Sequence, residues 1–406
     1  MKIAFVDNLP VGGGLSRFSL LLCKSLVENN PSFKIDYFIH YDNLKRIPEI
    51  QQLERVNVRV LQSTSAKSIP ARIIEKLAAK LGKTNASNIK VQQEIEQKIN
   101  KEYDLAYFPS AHMMKRPQLS IPVVGTLHDF NWKYFFGQQI FELPFVEMMD
   151  TEILNWMNNG LNICSSQDVV NEAKKLYPSA KNYPHVVHIA PVVYSTDITD
   201  EKATAILKEL NIDYPYIIFP GNFYAHKNHL NLFAAFSLLK ERKGFENTKL
   251  ILTGLGTDKV AYGIAGRTGI QMVTKNSPNH NYNIRGLGYQ PNHVIDALIK
   301  KANLLVSPSL YEAICTPGMD AWHFGTPTAI SNIPPFREHE QVWGIRSAFF
   351  DPMDPVNIAD TIDSYLANYT QAKEDGILSK VNIGKYTWSK VAVGYSQIFE
   401  KAINKG

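Results

Sequence analysis

Residues 311–322, YEAICTPGMDAW, hold two carboxylates eight positions apart, Glu312 and Asp320, on either side of Pro317-Gly318. Proline followed by glycine after a polar loop predicts a helix start. Glu312 then falls just outside the helix and Asp320 just inside its first turn. A helix N-terminus presents unbonded N–H groups and the positive end of aligned peptide dipoles, and both attract phosphate oxygens. Thr316, Pro317 and Gly318 would therefore face an anion, with a carboxylate on each side to accept from hydroxyls. A ligand with hydroxyls on both sides of a diphosphate fits this arrangement, and a nucleotide sugar is such a ligand.

Three other places carry groups of matching chemistry. Gly12-Gly13-Gly14 follows an apolar run and precedes a helical one, so its backbone could approach a phosphate or sugar closely. The sixth position is Arg17, so the dinucleotide fingerprint G-x-G-x-x-G is not met, and a plain tight turn is the alternative reading. His128, in Thr126-Leu127-His128-Asp129, could donate to a sugar hydroxyl or steady developing charge; a structural histidine bonded to Asp129 is the alternative. Pro220-Gly221-Asn222 and His226-Lys227-Asn228 put a lysine at a loop-to-helix junction, where it can neutralise a diphosphate or simply lie in solvent. No D-x-D pair is present to hold a divalent ion on a diphosphate, so no metal ligand is assigned.

These groups need strands and helices to position them. Short apolar runs alternate with helix-period segments along nearly the whole chain, the sign of parallel α/β layers. Strands are expected at 2–6, 34–39, 56–61, 105–108, 123–127, 161–165 and 186–189, and again at 216–219, 249–253, 283–286, 304–307, 328–330 and 348–350. Phe18, Leu21, Leu22 and Leu26 mark the apolar face of a helix after the glycine triplet. The stretch 191–215, with proline at both ends and a short charged helix, reads as a linker. Residues 388–403 read as an amphipathic helix. This predicts two doubly wound, Rossmann-like domains facing across a cleft, with ligand at the carboxyl ends of their strands. The expected division is 1–190, 191–385, and a terminal helix within 386–406.

The segment 70–83 breaks the alternation: Ile73, Ile74, Leu77 and Leu81 keep helical spacing among Arg72, Lys76, Lys80 and Lys83. A basic amphipathic helix can lie on an anionic membrane, or its stripe can pack on its own domain. A second helical stretch follows at Val91, Ile95 and Ile99.

The bulk composition is that of a soluble α/β protein: 406 residues, 45% hydrophobic, 20% charged, net charge +5. The length implies two domains. The charge suits anionic substrates or an acidic membrane surface and is too weak to indicate nucleic acid. Cys23, Cys164 and Cys315 are scattered, which argues against a disulfide framework and suits a reducing cytoplasm. The opening MKIAFVDNLP reads as a first strand, not a secretion signal, and no apolar run reaches the ~20 residues of a membrane span.

Taken together the motifs resemble the retaining glycosyltransferases of the GT-B fold, family 4 type, and its mannosyltransferase-like members. PGNFYAHKN, LILTGLG, NIRGLGYQ, LLVSPSLYEAICTPGMDAWHFGTPTAIS and FFDPMDP match the donor domain in order and spacing; VVGTLHDF and ICSSQDVVNEAKKLYP resemble first-domain segments. The resemblance implies that Gly12, Gly13 and Gly14 line the cleft, His128 sits beside the transferred sugar, and Lys227 holds the diphosphate. Glu312 would bind the donor sugar, Asp320 the ribose, and Ile284 and Arg285 would lie near the base. The donor would be a GDP- or UDP-linked sugar, the acceptor a glycan or lipid-linked glycan, and no cofactor or metal would be needed. In the family's front-side mechanism the leaving phosphate itself takes the acceptor's proton. The setting would be bacterial surface-polysaccharide synthesis in the cytoplasm, with 70–83 as a contact to the inner face of the membrane.

The chain departs from the family pattern at four places. The arginine of the second-domain loop is Asn222, leaving His226 or Arg285 to compensate; the second glutamate is Asp320; the glycine after Glu312 is Ala313; and Cys315 is also atypical. The alternatives are a nucleotide-sugar epimerase of the same fold and a non-catalytic partner that binds nucleotide or glycan.

Overall fold

A computed structural model of the chain describes residues 1–9, 14–45, 47–61, 96–135, 143–192, 198–258 and 283–405. Gly12, Gly13, the basic segment 70–83, Val91 and Ile95 lie outside the described residues.

Each predicted apolar run is a strand. The first sheet contains β1 (Lys2–Asp7), β2 (Lys34–His40), β3 (Val56–Leu61), β4 (Leu105–Phe108), β5 (Val123–Thr126), β6 (Leu161–Cys164) and β7 (His185–Val186). The second contains β8 (Tyr216–Pro220), β9 (Lys249–Thr253), β10 (Ile284–Gly286), β11 (Leu304–Ser307), β12 (Thr328–Ser331) and β13 (Ala348–Phe350). Their spatial orders are β3-β2-β1-β4-β5-β6-β7 and β10-β9-β8-β11-β12-β13. Neighbouring strands run parallel, as in the register Ile3↔Leu105 and Leu305↔Thr328. Helices cover both faces, so β4, β5, β6, β8, β11 and β12 are buried along their whole length. That is why they read as continuous apolar runs.

One expected strand is shifted. β7 lies at His185–Val186, not at 186–189. The Val187 amide still donates to the Cys164 carbonyl at 2.9 Å, but the chain then leaves the sheet and His188 turns to Glu338 in the second half.

Strand order reverses direction between β1 and β4, and again between β8 and β11. Loops leaving the carboxyl ends of such neighbours diverge and open a crevice. The helix beginning at Gly14 follows β1, the Lys227 loop follows β8, and the Glu312 loop follows β11. The topology thus brings together residues that the sequence separates by more than 80 positions.

The helix Gly14–Asn29 buries Phe18, Leu22 and Leu26 beneath β1. The final helix, Trp388–Ile403, starts at Thr387, whose side chain accepts from the Lys390 amide. Its buried stripe of Val391, Ala392, Tyr395, Phe399 and Ala402 lies on the first sheet's helical layer. Asn30 Nδ2 donates to Ser396 Oγ at 3.0 Å, and the Tyr395 hydroxyl meets Thr126 Oγ1 at 3.2 Å. One apolar cluster continues from Phe5 and Phe18 through Tyr395 and Phe399 to Cys315, Met319 and Trp322 of the second half. Ile99 is buried in a separate first-half cluster.

Candidate functional site

Two loops of the second half supply the charged centre. Lys227 ends a short 3-10 turn, and the next residue, Asn228, is left-handed with φ 57° and ψ 37°. Asn228 is held there by its side-chain amide, which donates to the Pro308 carbonyl at 2.9 Å and the Pro352 carbonyl at 2.7 Å. Asparagine tolerates this conformation better than most residues, so it fixes the direction in which Lys227 leaves. Lys227 Nζ donates to Glu312 Oε1, which also accepts from Ser309 Oγ at 2.7 Å. The pair is partly buried, at 18% and 15% side-chain exposure, and so less screened than a surface ion pair.

The helix Thr316–Phe324 begins one residue before Pro317. Asp320 is therefore the fifth helical residue and lies in the second turn, not the first. The His339 Nε2 accepts from the Cys315 amide at 3.0 Å, which fixes the chain at the helix entrance. Burial pushes His339 down to about 3, so the ring is neutral as this bond requires. Gly318 has a packing cause: a Cβ there would lie 2.7 Å from Cys315 Sγ. The Cβ position at Gly14, by contrast, faces open space within 4 Å.

Across the cleft, His128 and Asp129 follow β5. His128 does not bond to Asp129; its Nε2 donates to the Pro109 carbonyl at 2.8 Å, and Asp129 Oδ1 accepts from the Asn131 amide at 3.1 Å. The proton is therefore on Nε2, leaving Nδ1 as an acceptor. Burial, aided by the neighbouring His112, pushes His128 down to about 3. The ring is neutral, so it offers acceptance of a hydroxyl hydrogen in place of the donation expected from sequence. Burial raises the Asp129 carboxyl, the bond from the Asn131 amide pulls it back, and Glu312 pushes it further. His128 and Asp129 of the first half thus face His226, Lys227 and Glu312 of the second. His226 also meets the Phe135 ring at 5.7 Å, and burial lowers its pKa.

Other expected site residues lie elsewhere or are already engaged. Ile284, the first residue of β10, is buried in the apolar core of the second half. Arg285 points to the other face, donating to the Asn211 carbonyl at 3.1 Å and the Tyr214 hydroxyl at 3.2 Å. Alternation along this strand sends one side chain inward and commits the other to the start of β8's own layer. Asn222 Oδ1 accepts from the Leu255 amide at 2.8 Å, so it braces a loop. Asp320 is 1% exposed and paired with Arg17 across the cleft at 3.3 Å. Burial raises its carboxyl despite Arg17, and Arg17 Nη1 and Asp320 Oδ1 are both buried without a partner. A ribose contact through Asp320 Oδ2 would displace Arg17.

Sequence reasoning passed over three residues that tie the halves together at the site. Tyr311 donates to Glu172 Oε2 at 2.5 Å and accepts from the Phe130 amide at 3.0 Å. Glu338 accepts from the Gln167 and Asp168 amides at 2.7 and 3.0 Å. Arg17 entered only as the residue that breaks a glycine fingerprint. A tyrosine directly before Glu312 was the one available hint.

Comparison with known proteins places this geometry. Two parallel-sheet Rossmann-like domains facing each other, with a terminal helix on the first, form the GT-B architecture of glycosyltransferases. Residues 203–377 match the family described as glycosyl transferases group 1. Among solved structures, the sucrose-phosphate synthase of Thermosynechococcus elongatus superposes with a TM-score of 0.71 at 17% identity, covering 100% of both chains. HepE of Anabaena, solved with UDP and glucose, gives 0.68 at 15% identity over 99% of this chain and 100% of its own. WaaG, a glycosyltransferase involved in lipopolysaccharide biosynthesis, gives 0.66 at 11% identity over 98% and 99%. No curated protein matches the chain.

Proposed function

We propose that the protein is a retaining glycosyltransferase that moves a hexose from a nucleotide diphosphate sugar to a glycan or lipid-linked glycan, without a metal ion. The observation that carries this reading is the Lys227–Glu312 pair at the second switch point, opposite His128 and Asp129. Lys227 and Glu312 hold each other in the ligand-free protein. Donor binding would exchange those partners: Lys227 to the diphosphate, Glu312 to hydroxyls of the sugar. The positive end of the Thr316–Phe324 helix would add to the stabilisation of the leaving phosphate. Neutral His128 would accept from a sugar hydroxyl. In a front-side displacement the leaving phosphate takes the acceptor's proton, so no separate strong base is needed.

HepE holds UDP-glucose in one of its structures, which favours a UDP-linked donor over a GDP-linked one. WaaG's role in lipopolysaccharide synthesis supports a bacterial surface-polysaccharide setting at the cytoplasmic face of the membrane. Among the described residues no helix is long and apolar enough to cross a membrane.

The test is a thermal-shift screen with UDP, GDP, ADP and their common sugars, with and without magnesium. A selective rise with one nucleotide in the absence of metal is expected, and that donor then goes into acceptor trials. No rise with any nucleotide would favour the non-catalytic partner. That second reading draws on Asp320 being covered by Arg17 and Asn222 being committed to Leu255.

A further inference from the structure

The helix Tyr369–Ile383 is inverted for a surface helix. It buries small residues, Ala372, Gly376 and Ser379 together with Ile383, against the helix Thr316–Phe324. The approach is close there, because a Cβ at Gly376 would collide with the Gly325 carbonyl. Large side chains have no room at that crossing, so the other branched aliphatics of the helix point to solvent. Ile377, Leu378 and Val381 are 60%, 42% and 58% exposed. Ile377 and Val381, four positions apart, stand side by side on the outer face. A single exposed apolar residue needs no explanation, but three within five positions of one helix do.

Positive charge frames this strip. A helix turns about 100° per residue, which sets Lys373 and Lys380 beside Ile377 on one edge and Leu378 on the other. Both lysines are exposed, as is Lys385 just past the helix end. Glu374 is the one exposed acid of the helix; Asp375 is engaged by the Tyr365 hydroxyl and by Gln371. Lys380 also draws on the Asp200 carboxyl together with Lys300 and Lys301, the last pairing with it at 2.7 Å. The basic surface therefore continues past the helix.

An occupant of this face must be apolar in part and negative at its surface. A second copy would bring the same lysines against these and be repelled. The centres of protein interfaces are rich in aromatic residues, methionine and arginine and poor in lysine. The exposed residues here include lysines and branched aliphatics but no aromatic, methionine or arginine side chain. That is the composition of a helix lying in a membrane interface, where lysine stems cover apolar surface and their ammonium groups reach lipid phosphates.

We propose that the outer face of Tyr369–Ile383 docks on an anionic membrane surface, with Ile377 and Val381 entering the headgroup layer and Lys373 and Lys380 meeting its phosphates. The proposal does not need the transferase reading, since vesicle binding is measured without donor or acceptor.

Vesicle flotation of the full chain tests it, with phosphatidylcholine alone or mixed with phosphatidylglycerol. The native chain should bind the mixed vesicles at least about tenfold more tightly than the neutral ones, and ~0.5 M salt should release it. Ile377→Ser with Val381→Ser should weaken binding at least about tenfold, through lost apolar burial. Lys373→Gln with Lys380→Gln should do the same, near fivefold per lysine. All four side chains are exposed, so urea unfolding of both variants should match the native chain. Leu77→Ser with Leu81→Ser separates this face from the basic segment 70–83. Binding that survives the Ile377 and Val381 changes, or that is lost only in the Leu77 and Leu81 variant, would overturn the proposal. So would equal binding to neutral vesicles, or no binding at all, which would leave an acidic protein as the occupant. The nucleotide thermal shift, read in parallel, should be unchanged in the Ile377 and Val381 variant. Its absence in the native chain would sink the transferase reading and leave the membrane face standing.

Discussion

Two ion pairs set the chemistry at the level of single residues, and they call for opposite treatment. Lys227 and Glu312 are partly exposed, and in the proposed reaction each would turn to the donor. Lys227→Ala and Glu312→Ala should each lower turnover about a hundredfold, the scale of losing one charge-stabilising contact. Native turnover in either variant would refute that residue's role. Arg17 and Asp320 are buried, and neither is fully satisfied. Removing one partner leaves a buried charge alone, a loss of roughly 3–5 kcal/mol, whereas replacing both by apolar groups is often nearly neutral. Arg17→Ala should therefore lower the unfolding free energy by that order, and Arg17→Met with Asp320→Leu should recover most of it in urea titrations. A double variant as unstable as Arg17→Ala would show that the site needs the charges themselves. If Arg17 also moves to the diphosphate when donor binds, the recovered double variant will still show a weakened nucleotide shift.

Among elements, the helix Gln167–Leu176 is the most informative, because its N-terminus is completed by the other half of the molecule. Ser166 Oγ accepts from the Val169 amide at 3.4 Å, and Glu338 takes the Gln167 and Asp168 amides. Burial pushes the Glu338 carboxyl up, but bonds from His188 and the two amides outweigh it and hold it below the ordinary glutamate value. A depressed carboxyl stabilises the fold above its unfolded value and loses that contribution as pH falls through the folded one. Glu338→Gln should thus cost about 1 kcal/mol at pH 7, the usual size of a helix cap. The gap should close below pH ~4.5. A gap that persists into acid would mean that shape, not charge, makes the cap. The same helix shows what the sequence carries. The helix itself was not read from the sequence, whereas strands such as β4, β5, β8 and β11 were, because parallel strands buried on both faces are continuous apolar runs. Its capping partner was not readable, since Glu338 lies 171 positions from Gln167 and no periodicity links them. Tyr311 with Glu172 and Arg17 with Asp320 are likewise products of topology. For Ile284 and Arg285, motif position located the strand but not which face each side chain takes.

Across the molecule, polar ties among the described residues join the halves around the cleft, including Arg17 to Asp320, Tyr311 to Glu172 and Phe130, and Glu338 to the Gln167–Leu176 helix. The apolar cluster through Cys315, Met319 and Tyr395 joins them on the side of the terminal helix. The two kinds of joint differ in what they permit. Apolar packing beside the terminal helix can act as a hinge, whereas the bonded pairs at the cleft resist opening. A cleft that must open and then close on two substrates needs ties weak enough to release at modest cost. Combining Tyr311→Phe with Glu338→Ala removes two ties and leaves the hinge side intact. Small-angle scattering should then show the ligand-free radius of gyration rising by roughly 1 Å above the ~22 Å expected of a compact chain of this length. Saturating nucleotide should reverse part of the rise if the donor bridges Lys227 and the first half. An unchanged radius in the ligand-free variant would place the restraint in the apolar cluster. Variants in Trp322 or Tyr395 would then be the ones to open the molecule.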